Sequence, residues 1–220
     1  MKSRFNRIGA FIYMPVFFLL INSLLFWVIG QPIITFVTSS VEIFLLNEAP
    51  NFDEKVLNDV HFSDKKEGVV EREDITYPYA GKAYGKIEIK TLDLDEPLYF
   101  GDDDETLRMG AGQYIGSVFP GEKGTTLIGG HNSSDFGKLT ELSTNDFITI
   151  NTDYGHYEYT VYQKKIAKYN DKEVLALLNN SNDKRLILYT CFPVNRLGLT
   201  DNRLYIFAEY TSGPIINEEL

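Results

Sequence analysis

Cys191 is the single cysteine in 220 residues. It ends the mostly apolar run Leu186-Ile187-Leu188-Tyr189-Thr190. Sixty residues earlier His131 closes another such run, Thr125-Thr126-Leu127-Ile128-Gly129-Gly130, and twelve residues after the thiol Arg203 opens a third, Leu204-Tyr205-Ile206-Phe207. A thiolate attacks carbonyl carbon when a base or positive charge lies beside it. An imidazole moves protons near neutral pH, and a guanidinium fork donates to a developing oxyanion. These three groups at strand ends are the parts of a cysteine acyl-transfer site. The other histidines suit it less, since His61 falls in a polar stretch and His156 in the turn Tyr154-Gly155-His156-Tyr157. Arg196, in the loop Val194-Asn195-Arg196-Leu197-Gly198-Leu199, competes with Arg203, but only Arg203 begins an alternating strand. Each residue also has a plainer reading: a buried free cysteine is often only a small hydrophobe, and a lone histidine is more often a satisfied core residue.

Positioning these groups requires strands that bring distant residues together. Gly85–Ile89, Pro97–Phe100, Thr125–Gly130, Phe147–Asn151, Tyr157–Lys168, Arg185–Thr190 and Arg203–Tyr210 read as strands from their alternation or compact apolar runs. Thr106–Gly110, Phe136–Leu142 and Lys172–Leu178 read as short helices. The acids Asp102-Asp103-Asp104-Glu105 suit a helix N-terminus, and they lack the spacing of a recognised calcium loop. Strands at short spacing with only short helices between them predict a mostly β domain closed, or nearly closed, into a barrel.

The 22 residues from Ile8 to Ile29 carry no charge. As a helix they would reach roughly 33 Å, against about 30 Å of hydrocarbon. Lys2, Arg4 and Arg7 precede them, which predicts one transmembrane helix with a cytoplasmic N-terminus. A cleaved leader is the alternative, but the stretch is long for one and no small-x-small site follows. The net charge is −10, of which residues 1–30 contribute +3, leaving −13 on the rest (the total of −10 less this +3). So acidic a domain excludes nucleic acid as an expected partner. Outside the cell an unpaired thiol is a liability unless something uses it. The expected organisation is a cytoplasmic tip and anchor over 1–30, a juxtamembrane stalk over 31–80, a folded domain over 81–212 and a tail over 213–220.

At these residues the chain resembles the sortases, cysteine transpeptidases of mainly Gram-positive bacteria. The family's Thr-Leu-x-Thr-Cys strand is matched by Ile187-Leu188-Tyr189-Thr190-Cys191, with Ile187 in place of the first threonine. The histidine motif stands as Leu127-Ile128-Gly129-Gly130-His131-Asn132 and the arginine in Asn202-Arg203-Leu204-Tyr205-Ile206. The resemblance runs from about Tyr84 to Tyr210, and the Gly110–Phe119 region with the following Gly-Glu-Lys-Gly turn is most similar to class D sortases. No second apolar segment follows the domain, which argues against the pilin-polymerising class. The resemblance implies a closed eight-stranded sortase-type barrel with Cys191, His131 and Arg203 catalytic at one end. It implies that Thr190 helps line the site, and position alone suggests Phe192, Leu197 and Leu199 as a wall of the substrate groove. The implied substrates are secreted proteins with a C-terminal signal similar to Leu-Pro-x-Thr-Gly, and the implied acceptor is an amine of the peptidoglycan precursor. No metal or organic cofactor is implied. A cysteine hydrolase with the same residues, and a non-catalytic membrane-tethered β-domain that binds a partner, are the competing expectations.

Overall fold

The computed structural model describes residues 13–27, 60–179, 182–194 and 200–217. The chain divides into two units, residues 1–49 and 50–220. In the first, residues 13–27 form a helix within the charge-free stretch. Among the described residues no helix is long and apolar enough to cross a membrane. The ends of the expected anchor and the start of the expected stalk lie outside the described residues.

In the second unit eight strands close into a barrel: β2 (Ala83–Ile89), β3 (Leu94–Phe100), β4 (Ala111–Gln113), β5 (Gly124–Gly130), β6 (Phe147–Thr152), β7 (His156–Lys168), β8 (Lys184–Phe192) and β9 (Asn202–Ser212). Around the barrel they run β2-β3-β4-β5-β8-β9-β7-β6, and β6 pairs back onto β2. Alternation explains the closure. Ile87 and Ile89 of β2, Leu94 and Leu98 of β3, Ile148 and Ile150 of β6, and Leu186 and Leu188 of β8 meet in the interior. The intervening Leu127, Ile187, Tyr205 and Phe207 of β5, β8 and β9 form a second, outer cluster under Val174 of the helix Lys172–Leu178. Asp171 caps that helix by accepting from the Glu173 and Val174 N–H groups. Buried on both faces, β8 therefore reads as an unbroken apolar run rather than an alternating one.

One mouth of the barrel is filled by a 3₁₀ segment, Asp135–Glu141, which buries Phe136, Leu139 and the following Leu142. A Cβ on Gly130 would lie 2.3 Å from Phe136 Cγ, so only glycine lets this plug approach the end of β5.

Residues 60–80 do not behave as the stalk that composition suggests. Ser63 donates its N–H to the Thr152 carbonyl and His156 to that of Lys65, fixing this segment to the β6–β7 turn at the other mouth. Val70 and Ile75 join the interior cluster, and Tyr77 donates to Glu122 at 2.7 Å. β1 (Val69–Glu71) then pairs in parallel with β10 (Ile215–Asn217), so the expected tail is part of a clamp around the segment. The folded unit thus reaches back at least to residue 60 rather than to 81. A chain starting at residue 81 is expected to melt about 5–10 °C below one starting at residue 60, because burial of Val70 and Ile75 is lost. Thermal denaturation of the two fragments followed by circular dichroism checks this.

Candidate active site

Three neighbouring strands assemble the site. β5 and β8 run parallel with Gly130 beside Thr190, and β8 and β9 run antiparallel with Cys191 directly opposite Arg203. Directly opposed residues in an antiparallel pair hold their Cβ atoms about 4.5–5.5 Å apart. His131 follows Gly130 immediately, one step along from the Gly130–Thr190 pair. Counting by twos from Leu127, Ile187 and Tyr205 of the outer cluster reaches His131, Cys191 and Arg203. All three therefore belong to the outer face at the plugged mouth, and all three are half-buried.

Burial pushes the His131 pKa below its usual value, Asp104 opposes this and Arg108 adds to it. Both charges come from the helix Asp104–Met109, whose N-terminus is capped by Asp103 accepting from Glu105 and Thr106 N–H groups. The acidic run is thus a helix cap, as its composition suggests. A neutral imidazole at pH 7 can accept a proton from the thiol and return it to a leaving amine. Arg203 bends back on its own strand entry, with Nη1 donating to the carbonyls of Thr200 and, at 3.1 Å, Asn202. A guanidinium has five N–H donors, and these two bonds engage Nη1 alone.

Around these groups the loops are tied together. Asn132 Nδ2 donates to the Val194 carbonyl at 3.0 Å, joining the loop after His131 to the loop after Cys191. The Phe192–Pro193 peptide in that loop is cis. Tyr189, two residues before the thiol on the same face, donates to Asp102 at 2.9 Å. Its ring lies so close to Gly129 that a Cβ there would sit 2.3 Å from Tyr189 Cζ. Neither Tyr189 nor Asp102 is signalled by sequence as a partner of the other, since 87 residues separate them. The one available hint is that Tyr189 shares the alternation of Cys191.

Two of the expected substrate-binding residues, Thr190 and Phe192, fall within the described residues. Thr190 is fully buried, on the face of β8 opposite the thiol, and its hydroxyl donates to the Gly130 carbonyl at 2.9 Å. It therefore braces β5 against β8 and has no surface to offer a substrate. Phe192 packs against the interior cluster and lines a cavity of about 270 Å³ with Thr140, Lys164, Lys165, Ile166 and Leu204. Leu197, Leu199 and the rival Arg196 lie outside the described residues. Among the described residues no cluster of carboxylate, imidazole or thiol groups is arranged to hold a metal ion.

Residues 87–211 match the sortase domain family model. The chain is 30% identical over 132 residues to sortase D of Bacillus subtilis (strain 168), covering 60% of this chain and 66% of that protein. The match thus spans slightly under two thirds of that relative's length. Among solved structures, sortase C of Clostridium perfringens SM101 is 25% identical with a TM-score of 0.53, covering 60% of this chain and 72% of that one. Sortase A of Listeria monocytogenes is 26% identical with a TM-score of 0.52, covering 63% and 93%.

Thr190→Val keeps the side-chain shape and removes a buried donor, so it is expected to cost about 1–3 kcal/mol while Thr190→Ser stays near wild type. Urea denaturation measures both. Because the folded His131 pKa lies below the unfolded 6.5, its contribution to stability is complete above pH 6.5 and is lost as pH falls through the folded value. The loss is expected to disappear in His131→Gln, read as melting temperature from pH 7.5 down to pH 5.

Proposed function

The chain belongs to the sortase family, and from that premise we propose that it is a membrane-anchored cysteine transpeptidase with its catalytic unit outside the cell. Its substrates are secreted proteins with a signal similar to Leu-Pro-x-Thr-Gly, and its acceptor is an amine of the cell-wall precursor. The observation that carries the reading is the register that sets Cys191 opposite Arg203, with His131 one step past the residue paired to Thr190.

The chemistry follows in two transfers. Cys191, having given its proton to His131, attacks the threonine carbonyl carbon of the signal. Arg203 donates to the oxyanion of the tetrahedral adduct, where its charge counts most. As the adduct collapses the Thr–Gly C–N bond breaks, His131 gives its proton to the departing glycine amine, and a thioester remains on Cys191. The acceptor amine then attacks that thioester and loses a proton to His131. The second collapse forms the new amide and breaks the C–S bond, and the proton on His131 returns to the thiol. The anchor holds enzyme, substrate and lipid-linked acceptor at one surface, which raises their effective concentration.

The test uses the full chain in detergent micelles with a fluorophore-quencher peptide carrying Leu-Pro-x-Thr-Gly, triglycine as acceptor, and mass spectrometry of the products. A joined product is expected, and Cys191→Ala should abolish it. Arg203→Ala should lower kcat by about 10²–10³-fold, as loss of an oxyanion donor does. Arg203→Lys should recover only a small part of that loss, because a point charge does not replace the fork. Cleavage without joining would instead identify a hydrolase.

A further inference from the structure

Glu96 lies in β3 between Leu94 and Leu98, on the strand face that builds the barrel interior. It is 1% exposed, and its Oε2 has no hydrogen-bond partner. A carboxyl enclosed by apolar side chains without full pairing is expensive, so it is kept for a reason beyond packing. From β2 it meets only Ile87 across the ladder, while Lys86 and Glu88 take the other face. Its own strand neighbour Asp95 is exposed, and β4 brings no charge. The charged groups that face it come from the plug: Asp135 and Lys138, which pair with each other at 2.8 Å. Burial, and then Asp135, push the Glu96 pKa up to about 7, against Ser134, the Asp135 N–H and Lys138.

Ser134 links this carboxyl to the site. Its hydroxyl donates to the His131 carbonyl at 2.9 Å, and its own N–H reaches the same oxygen at 3.1 Å. Ser134 also favours the ionised form of Glu96 as a side-chain donor, although in the structure its hydroxyl is given to His131. A serine hydroxyl has one proton to give. When Glu96 is neutral, that proton stays on the His131 carbonyl. When Glu96 ionises, the carboxylate competes for it, and a charge-assisted hydrogen bond is the stronger of the two. The turn that carries the imidazole then loses one of its two ties to Ser134.

We propose that Glu96 is a positioning residue for His131, acting from inside the barrel through Ser134 on the backbone that carries the imidazole. The proposal rests on the reading of His131 as the proton-transfer group, but its first measurement needs no turnover. The full chain in micelles, labelled with ¹³C-histidine, is titrated by NMR from pH 5 to pH 9, with the His131 signal assigned by its loss in His131→Gln. Two inflections are expected for His131: its own, below 6.5, and a second near neutral pH as Glu96 ionises. Glu96→Gln, close in shape and always neutral, should leave only the first. Ser134→Ala should also remove the second while Glu96 remains, and adding it to Glu96→Gln should change nothing more. A single inflection in the wild type, or a second that survives Glu96→Gln, overturns the proposal.

Stability supplies a check on Glu96 itself. Its folded pKa stands above the unfolded 4.5, so its stabilising contribution is full below 4.5 and is lost as pH rises through about 7. Glu96→Gln should therefore gain in melting temperature relative to wild type between pH 5 and pH 8, and no gain would count against a buried titrating carboxyl. In the triglycine assay Glu96→Gln should flatten kcat between pH 6 and pH 8 with KM held within about twofold, the pattern of a misplaced catalytic group rather than of lost binding. Two NMR inflections without any joined product would leave this coupling standing and sink the transpeptidase reading alone.

Discussion

β5 and β8 lie parallel over seven residue pairs, from Gly124 beside Lys184 to Gly130 beside Thr190, and neither strand can slip by one residue without exchanging its two faces. A slip would turn Ile128 and Leu188 out of the interior and carry His131 and Cys191 onto different sides of the sheet. Parallel neighbours cannot be joined by a tight turn, so the chain must travel through the plug, β6, β7 and the helix Lys172–Leu178 before it returns as β8. That excursion closes the barrel and supplies the outer helix. The strand ends that carry the thiol and the imidazole lie side by side because of a non-local pairing, and the hydroxyl of Thr190 on the Gly130 carbonyl braces it there.

The same pairing explains why two glycines precede His131. At Gly129 the ring of Tyr189 occupies the outer face, and at Gly130 the ring of Phe136 occupies the inner one. Each glycine admits an aromatic ring from a different element, so the strand end is pressed from both sides. The His131 imidazole is thereby carried on a backbone with little room to shift. The buried carboxyl under the plug, Glu96, is the exception in this apolar packing.

Much of this was legible in the sequence. The strands that carry Cys191, His131 and Arg203 announce themselves by compact or alternating apolar runs ending at a polar residue. The acids at 102–105 announce a helix cap. What stayed hidden was hidden for physical reasons. β4 is only Ala111-Gly112-Gln113, too short and too small to show alternation, and it exists because its neighbours leave a strand-wide gap. The segment 60–80 looks like a polar stalk because only Val70, Ile75 and a few aromatic residues touch the barrel, and backbone hydrogen bonds do the rest. Thr190 and Phe192 adjoin the thiol in sequence, but a strand sends successive side chains to opposite faces, so adjacency alone does not tell that the Thr190 hydroxyl turns to the Gly130 carbonyl. Tyr189 with Asp102 is a tertiary pair that no local pattern encodes.

The polypeptide leading into the barrel is fastened at the β6–β7 turn, while Cys191 sits at the other mouth. β7 alone runs 13 residues between those levels, about 40 Å of strand, or about 30 Å along the axis once barrel tilt is allowed for. The barrel is therefore a rigid outrigger as well as a scaffold. The thiol is carried a fixed distance from the point where residues 63–65 are fastened, in a direction the fold itself determines. The barrel acts in this respect as an invariant boom, whose length cannot be altered without rebuilding the site.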